Sequence, residues 1–312
     1  MEDYPRNIME FERRFASEEA CKRYLFQIRW PNGFRCPRCE HQKAWETGQG
    51  LYYCTNCKYK TSVTAGTIFQ DTSKPLQVWF RAMWYVTNQK QGVSALGLQR
   101  TLGLGSYRTA WSWLHKLRCA MVRPGRDRLF GIIEVDEAYI GGPESGKRGR
   151  GAAGKALVVI AAQKDGKRIG RIRLKHVPDA SAKSLNDAVK NSIEPNSIVC
   201  TDDWNGYNQL SKLGYNHNVI RKASGVGKNL LPSANIVISL LKRWLLGIHQ
   251  GAVKISFLDY YLDEFTFRFN RRNSRSRGKL FYRLVQQAAD VEHISIKDIS
   301  SERPNTEPLY MV

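Results

Sequence analysis

Two Cys-x-x-Cys pairs, Cys36-Pro-Arg-Cys39 and Cys54-Thr-Asn-Cys57, stand fourteen residues apart in the first fifth of the chain. Each pair turns two thiolates toward one centre. Two such knuckles on facing hairpins complete a tetrahedral site for Zn²⁺. The intervening segment carries Gly48, Gly50 and Leu51-Tyr52-Tyr53, which reads as a short hairpin. A redox pair or fortuitous spacing are the competing readings, but redox motifs do not come as matched pairs in a turn-rich module of this size. All four positions are protein ligands, so the zinc is structural, and residues 31–70 are expected to form a zinc ribbon. Residues 1–30 read as an N-terminal helical segment. Arg35, Arg38, Lys43, Lys58 and Lys60 give the ribbon its charge. Cys21, Cys119 and Cys200 lie in apolar surroundings and are expected as buried thiols.

The chain has 312 residues, enough for two or three cores. Its 49 Lys and Arg against 28 Asp and Glu leave a net charge of +21. Such an excess favours a polyanion, and nucleic acid is the expected partner ahead of a ribosomal or membrane-surface role. The longest apolar run, Ala156 to Ala162, is too short to cross a bilayer. Met1 to Phe11 lacks the apolar core of a signal peptide. A cytoplasmic, nucleoid-associated protein with reduced thiols and no membrane partner is expected.

From Thr72 to Arg123 the pattern turns helical. Leu76, Trp79, Phe80, Met83 and Val86 or Thr87 form one apolar stripe. Ser94 to Leu102 is a shorter helix ending at Gly103 and Gly105. Ser106 then caps a helix with Tyr107, Ala110, Trp111, Leu114, Leu117 and Met121 facing inward. Arg108, Thr109, Ser112, His115 and Lys116 face outward. The pattern over 72–123 fits a helix-turn-helix that would offer Arg108, His115 and Lys116 to DNA. An ordinary helical hairpin is the alternative.

Strands follow over Gly131–Ile140, Ala156–Ala162 and Gly170–His176, then a helix over Ser181–Ser192 and a strand over Ser197–Asp202. A later helix spans Ser233 to about His249, with Val237, Leu240, Leu241, Trp244 and Ile248 as its buried stripe. This order predicts an α/β sheet domain. Asp136 sits inside an apolar strand, where an unpaired carboxylate is costly. Asp202 ends another strand. The period of two puts Glu134 on Asp136's face and turns Glu137 away; Asp203 likewise faces away from Asp202. Convergent carboxylates of this kind can hold Mg²⁺ for phosphoryl transfer, although any single Asp is more often a cap or turn residue.

Two basic stretches flank these elements. Gly146 to Lys155 is a loop with Lys147, Arg148 and Arg150. Arg268 to Lys279 has six basic residues and no acid, including Arg271 and Arg272. Both are expected to neutralise DNA phosphates. Residues 267–312 read as a basic C-terminal extension whose end is polar and mixed in charge.

Several segments together resemble a known family: Arg29-Trp-Pro-Asn-Gly-Phe-Arg-Cys-Pro-Arg-Cys39, Val135-Asp-Glu-Ala-Tyr-Ile-Gly-Gly142, Thr201-Asp-Asp-Trp-Asn-Gly-Tyr207, Leu241-Lys-Arg-Trp-Leu-Leu-Gly247 and Tyr261-Leu-Asp-Glu-Phe-Thr-Phe-Arg-Phe-Asn-Arg-Arg272. The chain is similar along nearly its whole length to bacterial insertion-sequence transposases with an N-terminal zinc ribbon and an ISXO-like catalytic domain. The resemblance implies an RNase H-like mixed sheet flanked by helices over 129–266, with a DD(E/N/H) triad. Asp136 and Asp202 match its first two positions. The third is Asn235, seven residues before Lys242 and on the same helix face. Asn keeps an amide oxygen that binds Mg²⁺ or Mn²⁺ more weakly than a carboxylate, and Glu134 is a candidate to supplement it. Glu264 is a weaker candidate on another helix. The implied activity is metal-dependent cleavage at terminal inverted repeats followed by strand transfer into target DNA, in a homo-oligomer that brings two ends together. The alternative is a catalytically impaired or domesticated DNA-binding descendant, which Asn235 keeps open. A structure-selective nuclease is a third, weaker reading.

Overall fold

The computed structural model describes residues 2–123, 125–141, 155–221, 230–250 and 253–300. In chain order, the elements begin with helices α1 (Ile8–Arg14) and α2 (Glu18–Arg29) and strands β1 (Ala44–Glu46), β2 (Tyr52–Cys54) and β3 (Lys60–Thr61). Helices α3 (Leu76–Asn88), α4 (Ala95–Leu102) and α5 (Tyr107–Ala120) follow. Then come β4 (Ile132–Ile140), β5 (Ala156–Asp165), β6 (Arg168–Val177), α6 (Ala182–Ser192), β7 (Ile198–Thr201) and β8 (Asn216–Val219). Helices α7 (Pro232–His249), α8 (Leu258–Asn270), α9 (Arg277–Asp290) and α10 (Ile296–Ser300) complete the order. None of the helices among the described residues is long and apolar enough to cross a membrane. The described residues divide into two compact units, one within 2–123 and 274–300 and one within 125–273.

In the first unit, β1, β2 and β3 form a small antiparallel sheet. It is seated on α2 through aromatic rings. Tyr52 packs on Phe26, Trp30 and Phe34 at centroid distances of 5.0, 5.6 and 5.8 Å. Arg29 adds two donor bonds, to the Ser62 carbonyl at 3.2 Å and the Val63 carbonyl at 2.9 Å. The helices carry the local signals that their ends require. Ser17, Ser94, Ser106 and Ser276 each accept a first-turn N–H of the helix they precede. Gly103, at φ 61°, stops α4 in a left-handed turn that a side chain would strain. Trp79, which is buried, stacks on Trp113 at 3.7 Å between centroids. Burying rings of this size contributes about 2–3 kcal/mol each.

The segment expected as an extension, 267–312, contains α9, and α9 packs against α2, α3 and α5 in this unit. Its Phe281 is fully buried against Phe11, Phe15 and Phe80. Apolar positions Leu280, Phe281, Leu284, Val285 and Ala288 supply the stripe that makes burial favourable. The basic residues around them had masked it.

The second unit is a five-stranded sheet in the order β6-β5-β4-β7-β8. Strands β4, β5 and β6 are antiparallel neighbours, while β7 and β8 run parallel to β4. The sheet is mixed and has helices on both faces, as the resemblance implied. Even-numbered residues of β4 face α7 and α8, where Ala138 and Ile140 meet Val237, Leu241, Leu245, Leu262 and Phe265. Odd-numbered residues face α6, where Ile133 and Val135 meet Leu185, Ala188 and Val189. The buried stripe of α7 is Val237, Leu241 and Leu245; Leu240, expected inside, is 36% exposed. Strand β8 was not foreseen, since Asn216-His-Asn-Val219 has no apolar alternation to announce it. The edge strand β6 is closed by a side chain, because Asn270 at the end of α8 accepts the Ile172 N–H at 2.7 Å and donates to the Ile172 carbonyl at 3.1 Å.

Candidate active site and metal centre

The four cysteine sulfurs lie within 4.8 Å of one another, with Cys36–Cys57 and Cys39–Cys54 both at 3.6 Å. A tetrahedron of Zn–S bonds near 2.3 Å has sulfur edges of about 3.8 Å. The soft, all-thiolate donor set therefore fits zinc. Each knuckle closes with a backbone N–H returned to the first cysteine's carbonyl, Glu40 to Cys36 at 2.9 Å and Lys58 to Cys54 at 3.2 Å. Both closing residues take left-handed φ, 62° and 61°. The backbone N–H of His41 bonds the Cys39 thiol and draws it down to about 6, toward the thiolate that a metal requires. Cys21, Cys119 and Cys200 are buried.

The two aspartates are placed by neighbouring strands. β4 and β7 are parallel neighbours with Ile132 beside Ile198, Ile133 beside Val199 and Glu134 beside Cys200. The pairing ends there, and Asp136 and Asp202 each lie two residues beyond it, at the same end of adjacent strands. Tyr207, in the turn after Asp202, is fully buried. Burial pushes its phenol well above 10, and the charges of Glu137, Asp136 and Asp202 push it in the same direction. All three acids thus act on one hydroxyl. Glu137 is turned to the α6 face, as its parity required, where its Oε2 accepts from the Tyr207 hydroxyl at 2.8 Å. Asp203 points away and pairs with Arg221 at 3.2 Å. Behind Asp202, Trp204 donates its backbone N–H to Asp202 Oδ1 at 3.2 Å and its indole N–H to the Ala180 carbonyl at 3.2 Å. Gly206 is obligatory in this turn, because a Cβ there would stand 2.7 Å from Leu185 Cδ1 and Trp204 Nε1.

The residue that the resemblance puts at the third position lies on α7. This helix has no side-chain cap of its own: Leu231 precedes it and Pro232 opens it. Its first N–H groups go instead to Glu134, whose Oε2 accepts from Ser233 at 2.7 Å and from Ala234 at 3.2 Å. Glu134 is 2% exposed, and its Oε1 lies 3.4 Å from Lys164 Nζ on β5. Asn235 comes next on the helix, half-buried, and donates Nδ2 to the Leu231 carbonyl at 3.0 Å. Glu264 is buried and paired with Arg268 at 2.7 Å on its own helix. Two carboxylates and an amide would make an all-oxygen donor set, the kind that suits Mg²⁺ or Mn²⁺. Among the described residues, the cysteines form the one group of three or more Cys, His, Asp and Glu that could hold a metal. The triad has only two acids.

The expected DNA-contacting residues fare unevenly. Lys242 and Arg108 are exposed. His115 is fully buried, which corrects the outward face assigned to it; Ser112 is buried too, and Tyr107, expected inside, is 55% exposed. The reason is that α4, α9 and α10 surround α5, so from Ser112 onward it has no polar face. Lys116 is half-buried, directs Nζ to the Ile68 carbonyl at 3.4 Å, and is held below its ordinary pKa by burial. Arg272 spends its guanidinium on the Gly170 and Ile169 carbonyls of β6 and on Phe269, while Arg271 lies over the Phe267 ring at 4.2 Å. Lys147, Arg148 and Arg150 lie outside the described residues.

Comparison with known proteins gives matches in both units. Residues 16–60 match a family model described as a transposase zinc-ribbon domain, and residues 128–270 match one described as an ISXO2-like transposase domain. A protein of Halobacterium salinarum, described as an uncharacterized protein in transposable element ISH50, is 25% identical over 306 residues, spanning 88% of this chain and 98% of that protein. Among solved structures, a Mos1 transposase paired-end complex with the left transposon end is 13% identical, with TM-score 0.30 over 71% of this chain and 79% of that one. A simian T-cell lymphotropic virus intasome in complex with PP2A regulatory subunit B56 gamma is 13% identical, with TM-score 0.32 over 60% and 70%.

Proposed function

We propose, for a chain that belongs to the insertion-sequence transposases with a zinc ribbon and an ISXO2-like transposase domain, that it cuts DNA at the terminal inverted repeats of its element and joins the freed ends to target DNA. The observation that supports this reading is that Asp136 and Asp202 each stand two residues beyond the last β4–β7 pair, at the same end of adjacent strands. Asp136 and Asp202 hold a magnesium or manganese ion, and Asn235 offers its amide oxygen to the same centre. The ion, when bound, stabilises the negative charge that develops on phosphodiester oxygens during cleavage and joining. Lys242 stands two turns beyond Asn235, about 10 Å along the same helix face, where its exposed ammonium can hold a neighbouring phosphate.

DNA is recognised by the first unit, with the α4–α5 pair acting as a helix-turn-helix and Arg108 at its exposed start. The net charge of +21 makes this binding salt-sensitive. Two ends must be processed together, so the working form is a homo-oligomer.

The test is incubation of the purified full chain with labelled inverted-repeat DNA and Mg²⁺ or Mn²⁺. Strand-transfer products that vanish in Asp136→Asn and Asp202→Asn support the proposal. Asn235 favours a second reading, a DNA-binding descendant that no longer cuts. Tight binding without cleavage in either metal selects that one. Hydrolysis of unrelated DNAs without joining selects a nuclease.

A further inference from the structure

The carboxylate of Glu134 shares a strand face with Asp136, which makes it look like a third acid for the cation. Its bonds say otherwise. Oε2 accepts two N–H groups, from Ser233 and Ala234, and Oε1 faces Lys164 Nζ at 3.4 Å. The side chain is 2% exposed. We infer that Glu134 is a positioning residue: it anchors the uncapped N-terminus of α7 to β4 and thereby sets Asn235 against Asp136. This rests on the reading of Asp136, Asp202 and Asn235 as the cation site.

The geometry leaves little freedom. A helix begins with N–H groups that no residue of its own can satisfy, and they collect partial positive charge. The other helices entered through Ser181, Ser94 or Ser276 solve this locally. With Leu231 at the cap position, α7 has no such solution. A carboxylate is the strongest acceptor that can reach it. Because Glu134 and Asp136 are two residues apart on one strand, their Cα atoms are separated by about 6.7 Å along it. Because Asn235 directly follows Ala234, its place on the helix is fixed by the same bond. One side chain therefore ties the third position of the triad to the first. Lys164 balances the buried charge from β5. The first unit uses the same construction, where Glu18 of α2 accepts the Leu76 and Gln77 N–H groups at 2.9 and 3.1 Å and α3 likewise lacks a side-chain cap.

The experiment compares wild-type protein with Glu134→Gln and Glu134→Ala in the full chain. It reads amide hydrogen exchange at Ser233 and Ala234 without metal, Mn²⁺ affinity by calorimetry, and cleavage of end DNA. Glutamine keeps an oxygen that can accept both N–H groups. The Gln variant is therefore expected to retain slow exchange and Mn²⁺ affinity within about threefold, whereas the Ala variant loses the protection and weakens Mn²⁺ binding by about ten- to a hundredfold. Loss of Mn²⁺ binding in the Gln variant with both amides still protected overturns the inference and makes Glu134 a ligand. Unchanged Mn²⁺ affinity in the Ala variant with its amides exposed overturns it as well. If the Ala variant does not fold, the Gln variant decides by the same criterion. A wild-type chain that binds no Mn²⁺, or binds it equally in Asp136→Asn, overturns the underlying reading of the site, and the exchange data still report separately on the anchor.

Discussion

The hydroxyl of Tyr207 donates to Glu137 Oε2 at 2.8 Å on the α6 face of the sheet. The bond joins the turn after β7 to β4, so it braces the two strands that carry the acids. Tyr207→Phe leaves the Glu137 carboxylate without that donor and is expected to lower the unfolding free energy by about 1–3 kcal/mol, measured by urea denaturation. A pH effect accompanies it. The folded phenol ionises well above 10, the ordinary value that the unfolded chain retains. Its contribution is therefore complete below pH 10 and lost as pH rises beyond it. The Phe variant should lose the corresponding part of the alkaline destabilisation.

Asp136→Asn and Asp202→Asn should each reduce end cleavage by about two orders of magnitude or more. Neither should unfold the protein, because Asn keeps the size and the acceptor oxygen with which each Asp takes a backbone N–H, from Glu137 and from Trp204. Equal melting temperatures alongside lost cleavage are the expected pair of results. Asn235→Asp should act in the opposite sense on the metal. A third charge is expected to tighten Mn²⁺ binding by about tenfold, read by calorimetry. The positive end of α7 tolerates that charge.

The zinc ribbon should contain one zinc per chain by metal analysis. Cys54→Ser, or removal of the metal by a strong chelator, is expected to unfold β1–β3 while leaving the sheet of the second unit intact. The aromatic packing of Phe26, Trp30 and Phe34 on Tyr52 makes tryptophan fluorescence the convenient measurement.

His217 on β8 contacts the buried Thr201 hydroxyl through Nε2 at 2.8 Å, and burial holds its imidazole below the ordinary 6.5. The unfolded chain therefore takes up this proton first as pH falls. Stability from the neutral ring is complete above pH 6.5 and declines below it. His217→Gln should flatten the stability profile on the acid side in denaturant titrations at successive pH values.

The site was legible in the sequence to unequal degrees. Asp136 and Asp202 stood out as candidates because an acid inside Ile-Glu-Val-Asp-Glu and one closing Ile-Val-Cys-Thr-Asp contradict their apolar neighbours, and the period of two put Glu137 on the α6 face, where it meets Tyr207. Asn235 and Lys242 were visible only through family resemblance, since an Asn on a helix is ordinarily a surface residue. His115 misled for a physical reason. Helical periodicity measures the contrast between faces, and α5 has almost none once α9 returns from the far end of the chain to cover it.

The amino-acid order alone determined what depends on near neighbours: two cysteine knuckles, serine caps, the alternation of β4, and the charge that calls for a polyanion. These follow from bond geometry and local periodicity, which act over a few residues. Tertiary structure alone decided what Glu134, Asn270 and Arg272 do. Each bonds a backbone group about 100 residues away, on Ser233 and Ala234, Ile172, and Gly170 respectively. A carboxylate or an amide seeks whichever unsatisfied N–H the fold brings near, and no spacing in the chain records which one that is.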